Sequence, residues 1–253
     1  MEPWRTGIVN ARDGEIWIRG RNVTALMRTA TFTDTIFLLH RGRMPDERER
    51  RLLDAILLSS SDHGSGAPSC ATARLAASGN RQSYSAAVAA GVLAIGNEHG
   101  GAGEQCMQLI AHGLARASER GISIEAAAEE LATESRAGGA RLPGLGHRVH
   151  RVDPRVEVLF DLARQDGKDG DAVRFVTALQ KAAAAMVSKP LPINIDGALA
   201  AILWDLGFPP AAGKLLFIIA RVAGLTAEVA EEHEREKPMR IRIPVEYDGV
   251  PPE

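Results

Sequence analysis

Three times along this chain a histidine sits beside glycine at a break between helix-patterned stretches: Asp62-His63-Gly64, Glu98-His99-Gly100-Gly101 and Gly144-Leu145-Gly146-His147. Glycine frees the backbone for a tight path and leaves the neighbouring imidazole unshielded. Any fold of this chain has to turn at these places, and each turn presents a histidine. After the last of them, Asp153-Pro154 reads as an N-cap followed by proline at the first helical position. That sets Arg155 in a first helical turn with its guanidinium free to reach back.

Between the breaks the pattern is helical. Aromatic residues make up only 4% of the chain and alanine is abundant, which favours closely packed helices over a sheet core, so a mainly α fold is expected. Helices are predicted from residue 31 to a stop at Gly42, after Pro45, over 68–78 and 83–95, through Gln108 and Leu114, from Ser123, over 153–164, around Phe175 and Leu179, over 198–206, and after Pro209-Pro210. The exception is a short hairpin, 7–10 with 15–18, turning through Ala11-Arg12-Asp13-Gly14, and it is expected to be the only sheet. With 253 residues the chain suffices for one large domain or two modest ones.

Composition excludes several classes. Cys70 and Cys106 are too few for a disulfide framework or a zinc cluster, and each reads as a small buried apolar residue in a reducing cytoplasm. A net charge of -2 with the signs interspersed offers no field for nucleic acid or an anionic membrane. The N-terminal Met1-Glu2-Pro3-Trp4-Arg5 lacks the apolar core of a signal peptide, and Asp205, Lys214 and Arg221 interrupt the most apolar stretches, so a soluble cytoplasmic protein is expected. His147 and His150 are not joined by a second pair or acidic cluster at ligand spacing, so no metal is expected.

Two further residues carry chemistry. Asp196, at the start of an apolar helix, has a ready structural role as N-cap; buried there, it is also a usable general acid or base. Arg221 is the lone charge among Leu215, Phe217, Ile218, Ile219, Val222 and Leu225, and it needs a carboxylate partner, from the protein or from a substrate. Presented imidazoles, one carboxylate and several arginines, with no serine or cysteine nucleophile set and no phosphate loop, suit a small polycarboxylate and enolate chemistry. Helix-start amides beside His99 would keep that imidazole neutral, able to donate a hydrogen bond to an enolate oxygen.

The order of these blocks, Asp62-His63-Gly64, His99-Gly100-Gly101-Ala102, Gly144-Leu145-Gly146-His147-Arg148-Val149 with Asp153-Pro154-Arg155, Asn194-Ile195-Asp196, and Ala220-Arg221-Val222-Ala223-Gly224, resembles the citrate synthase superfamily over nearly the whole chain. Within it the chain is similar to the short citryl-CoA lyase form and to the lyase module of ATP-citrate lyase. The resemblance implies a citrate-synthase-like helical fold with a truncated N-terminus, in which 1–102 and 195–253 form a larger helical subdomain and 103–194 a smaller one. It implies that His63, His147, Arg155 and Arg221 hold the carboxylates of citrate or a 2-oxo acid, and that Arg242, or Arg240 in its place, is lent to a neighbouring subunit. Asp196 is then the acid or base at the acetyl methyl carbon, His99 stabilises the enol, His147 acts at the hydroxyl, and Arg148 and Lys189 meet the coenzyme A phosphates. The family's asparagine is replaced here by Gly103, and His99 is a synthase-like feature.

The expected activity is reversible cleavage of citryl-CoA to acetyl-CoA and oxaloacetate, with the coenzyme A thioester as substrate, no permanently bound cofactor and a homodimer or larger homo-oligomer as the working unit. A citrate synthase, or a related enzyme condensing an acyl-CoA with a 2-oxo acid, is the alternative, and a non-catalytic di- or tricarboxylate-binding module is a third.

Overall fold

The computed structural model describes residues 2–146 and 153–250. It begins with a three-stranded antiparallel sheet, β1 (Val9–Arg12), β2 (Glu15–Ile18) and β3 (Arg21–Asn22), in which Arg12 pairs with Glu15. The predicted four-residue connection is therefore shorter: Asp13 (φ 54°) and Gly14 (φ 79°) make a two-residue turn with both centres left-handed, the geometry that matches strand twist. The third strand lies outside the predicted hairpin. It is two residues long, too short to show an alternating pattern.

Eleven helices follow in the described residues: α1 (Val23–Thr29), α2 (Phe32–Arg41), α3 (Glu47–Ser60), α4 (Pro68–Gly79), α5 (Tyr84–Leu93), α6 (Ala102–Arg120), α7 (Ile124–Ala137), α8 (Pro154–Gln165), α9 (Asp171–Ala185), α10 (Ile195–Asp205) and α11 (Ala212–Arg235). Local chemistry sets their ends. Thr31 and Asp34 cap α2 reciprocally and Gly42, at φ 73°, closes it; Ser83 and Ser123 cap α5 and α7; Asp153 caps α8 as the sequence predicts. One expectation is corrected: α10 begins three residues earlier than predicted and its N-cap is Asn194, which leaves Asp196 inside the first turn with its side chain not used as the cap.

The chain divides into two compact units. The first comprises Met1–Ser60 and Gly100–Phe217. Its centre is α10, which packs against α3, α6, α8 and α9 and has eight buried residues. Leu199, Ile202 and Leu203 are at most 1% exposed, and each contributes about 1.5–3 kcal/mol by leaving water. Phe175 of α9 lies directly over Gly113 of α6, where any side chain would strike the ring. The 103–194 segment, expected as a subdomain, lies within this unit.

The second unit comprises Ser61–His99 and Ile218–Glu253. Its core is made of small residues, Cys70, Ala73, Ala77 and Ala87, with Leu225 and Val229 from α11. A Cβ on Gly91 would lie 2.9 Å from the Ser69 carbonyl oxygen and 3.0 Å from Leu225, so α4 and α5 approach as closely as backbones allow. Glu232, fully buried on α11, takes Arg74 from α4 and Arg240 from the tail, whose following residues 241–248 have no regular structure. No helix among the described residues is long and apolar enough to cross a membrane.

Candidate active site

The second unit brings His63, His99 and Arg221 together. His99 ends a tight turn in which the backbones of Gly96 and His99 exchange both hydrogen bonds, at 2.9 and 3.1 Å. Its half-buried ring meets Ser69, a fully buried residue in the first turn of α4: Ser69 Oγ lies 2.8 Å from Nε2, and the Ser69 backbone N–H donates to the same Nε2 at 3.3 Å. Arg221, 3% exposed, donates from Nη1 to Ser69 Oγ at 3.1 Å. A guanidinium only donates, so the serine oxygen accepts from Arg221 and its own hydrogen turns to Nε2. With two donors aimed at Nε2, the ring proton belongs on Nδ1.

Burial, then the Arg221 charge, then His63, hold the His99 imidazole below its ordinary value of 6.5. The neutral state is the one the sequence predicts, and the Ser69 backbone N–H in the first turn of α4 is a helix-start amide that donates to its Nε2. Nη1 of Arg221, for which the sequence expects a carboxylate from the protein or from a substrate, donates to the Ser69 hydroxyl. Ser69 itself carries no sequence signal: it is one serine among many, recognisable only once α4 and α11 place it between an imidazole and a guanidinium. His63 is exposed in the non-helical stretch before α4, and Arg242 is exposed on the tail. Arg240, the alternative to Arg242, is engaged by Glu232 through Nε at 2.9 Å and Nη2 at 2.5 Å.

Asp62, Cys70 and Glu228 offer ligand atoms within 4.8 Å of one another, a cluster that sequence spacing did not reveal. Glu228 is already spent on Arg74 at 2.6 Å, and burial followed by the Asp62 charge pushes the Cys70 thiol up, so the three residues do not make a fit donor set.

The first unit holds Asp196, Arg155 and Lys189. Asp196 stands in the first turn of α10, and the fully buried Cys106 of α6 feels its charge, which together with the larger effect of burial pushes the thiol up to about 12. Both cysteines are free and buried with their thiols pushed up, which favours the small apolar reading over a nucleophile. The segment 144–146 is stitched to the approach of α10. Gly146 N–H donates to Pro192 O at 2.7 Å, Asn194 N–H to Gly144 O at 3.0 Å, and Asn194 Nδ2 to Gly146 O at 2.8 Å. Gly144, at φ 84°, has to be glycine twice over, since a Cβ there would come within 2.7 Å of both Cys106 Sγ and Gly197 Cα.

Arg155 is not free to reach back, which corrects the sequence expectation. Its Nε and Nη2 bind the two carboxylate oxygens of Asp153 at 2.9 and 2.7 Å, and Nη1 donates to Ser59 O at 3.0 Å. The N-cap acid that the sequence assigns to the backbone thus also fixes the guanidinium, which no sequence pattern distinguishes. Lys189 is exposed at a bend after α9. His147 and Arg148 lie outside the described residues.

Comparison with known proteins gives this geometry a family. The citrate synthase C-terminal domain family matches residues 43–242. The citrate/2-methylcitrate synthase of Bacillus subtilis (strain 168) is 27% identical over 220 residues, 86% of this chain and 56% of that protein, and the citrate synthase of Deinococcus radiodurans is 28% identical over 91% of this chain and 59% of its own length. The chain thus spans little more than half the length of these curated relatives. Among solved structures, citryl-CoA lyase from Hydrogenobacter thermophilus superimposes with a TM-score of 0.91 at 38% identity, covering 100% of this chain and 97% of that one. ATP citrate lyase of Methanosaeta concilii, in complex with (3S)-citryl-CoA, shares the fold at a TM-score of 0.78 and 20% identity, 98% of this chain lying on 43% of that one. The mostly helical architecture with its small N-terminal sheet is the citrate-synthase-like fold, and the chain belongs to the citrate synthase family of enzymes.

Proposed function

We propose that this chain is a citryl-CoA lyase, cleaving citryl-CoA to acetyl-CoA and oxaloacetate. One observation carries the reading: the citryl-CoA lyase of Hydrogenobacter thermophilus superimposes at a TM-score of 0.91 and 38% identity, against 27% identity to the citrate/2-methylcitrate synthase of Bacillus subtilis over the residues they share. In cleavage, His147 takes the proton of the tertiary hydroxyl as the carbonyl of oxaloacetate forms. The carbon-carbon bond breaks and its electron pair passes to the acetyl-CoA enolate, whose oxygen receives a hydrogen bond from neutral His99. Asp196, entering the step as the carboxylic acid, protonates the enolate carbon. One proton is taken up and one delivered, so the cleavage is neutral overall.

His63, Arg155, Arg221 and Arg242 are assigned to the substrate carboxylates, and Arg148 and Lys189 to the phosphates of coenzyme A. The Asp153 pairing of Arg155 supports a preset guanidinium with part of its donor set committed. The engagement of Arg240 by Glu232 supports Arg242 as the arginine lent to a second copy, which makes a homodimer in the cytoplasm the proposed working form. On this reading 103–194 is the smaller subdomain.

The synthase relatives, and the histidine kept at His99, support a condensing enzyme as the second reading. Steady-state assays separate the two. Oxaloacetate from citryl-CoA alone supports the lyase, and free coenzyme A released from acetyl-CoA plus oxaloacetate supports the synthase. Citrate binding without either turnover leaves the binding module. Under both enzyme readings Asp196→Ala abolishes turnover and leaves citrate binding measurable by calorimetry; binding lost with turnover retained contradicts its role.

A further inference from the structure

We infer that Asn194 is a positioning residue that fixes the proposed acid, Asp196, against the Gly144–Gly146 segment, an inference that rests on the proposed role of Asp196. Asn194 uses every hydrogen-bonding group it has across this junction. Its Oδ1 accepts from Gly197 N–H at 3.1 Å and caps α10; its Nδ2 donates to Gly146 O at 2.8 Å; its backbone N–H donates to Gly144 O at 3.0 Å; and its carbonyl accepts from Ala198 N–H at 3.1 Å. The cap sets the direction in which α10 starts, and so where Asp196, two residues on, projects. The amide nitrogen ties that start to a segment also held by the Gly146 to Pro192 contact, the Leu145–Ile193 bridge and the Leu145 N–H to Leu142 O bond at 3.3 Å. Packing closes the junction from the other side, since Cys106 Sγ and Gly197 occupy the space that a Gly144 side chain would need.

Only a group that accepts on one side and donates on the other serves both partners, and an uncharged one does so without placing a second carboxylate beside Asp196. Among side chains able to cap a helix, asparagine alone combines an acceptor with an amide donor. Serine and aspartate keep the cap and lose the tie. That difference makes the inference testable without unfolding the helix.

Two variants are compared with wild type. In Asn194→Ser the cap is retained and the reach to Gly146 O is lost; exchange of the backbone amides at positions 146 and 194 accelerates about tenfold or more, while the rest of α10 stays protected. The turnover number falls about tenfold with KM little changed, as expected when one hydrogen bond that holds the acid in place is removed. In Asn194→Asp the ionised carboxylate faces the Gly146 carbonyl and repels it. Protonation supplies a donor again, so the ratio of variant to wild-type turnover rises as pH falls through the carboxylate range, whereas the ratio for Asn194→Ser stays flat. Unchanged exchange at the two amides, an unchanged turnover number, or parallel pH ratios for the two variants overturns the inference, as does a loss of protection spread evenly over the unit. The exchange measurement needs no activity, so an inactive wild type would refute the proposed function and leave the structural tie still measurable.

Discussion

Replacing Ser69 by alanine tests the least visible part of the site. The hydroxyl has two partners, Arg221 Nη1 at 3.1 Å and His99 Nε2 at 2.8 Å, and the residue is completely buried, so water has no ready path to take its place. Removing an acceptor from a buried guanidinium forfeits a charge-assisted hydrogen bond, about 1.5–3 kcal/mol. Of the two Ser69 contacts at Nε2, the imidazole retains the longer one, 3.3 Å from the backbone N–H, so its orientation and its Nδ1-protonated tautomer are less firmly enforced. If that orientation matters chiefly in the transition state, a loss of about 1.4–2.8 kcal/mol there appears as a turnover number lower by about ten- to a hundredfold. Urea unfolding reads the first effect, citryl-CoA cleavage the second, and imidazole nitrogen shifts the tautomer. A variant with wild-type stability, wild-type turnover and unshifted His99 nitrogens refutes the relay from Arg221 through Ser69 to His99.

Two further predictions concern stability. Burial depresses both His99 and His40, aided by Arg221 and Arg19 respectively, so around and below their ordinary value of 6.5 the unfolded chain binds more protons than the folded one. The stability they contribute is present above that value and is lost as pH falls through the folded values; unfolding free energies measured from pH 8 to pH 5 decline, and His40→Gln flattens the decline. Burial pushes the Glu232 carboxyl up, but Arg240 and Arg74 outweigh it and hold the group below the usual range. Glu232→Gln accordingly costs about 3 kcal/mol in unfolding free energy, with residues 237–250 more readily cleaved by protease, whereas stability and cleavage like wild type would show that Glu232 anchors nothing.

Much of this was legible in the residues because local signals agreed. Thr31 with Asp34, Ser83, Ser123 and Asp153 announce their helices by capping chemistry that acts within three residues, and the Asp13-Gly14 turn announces the sheet. What the sequence hid depends on distant partners. Asp196 reads locally as the cap of its helix; the structure gives that place to Asn194, which is also hydrogen-bonded to Gly144 and Gly146 from far along the chain. Arg155 looks unengaged in the sequence because its partner carboxylate is already assigned to the backbone, and one aspartate serves both. The order of the histidine, aspartate and arginine blocks marked the family, while Ser69, which links two of those blocks, belongs to none.

Because α10 is enclosed by four neighbouring helices, the proposed acid rides on the part of its unit with the least room to give. A carboxyl group on a surface loop drifts out of register long before a protein melts. One carried by the innermost rod has no such early failure open to it, so on heating, the chemistry at Asp196 and the integrity of the whole first unit should vanish in the same narrow interval.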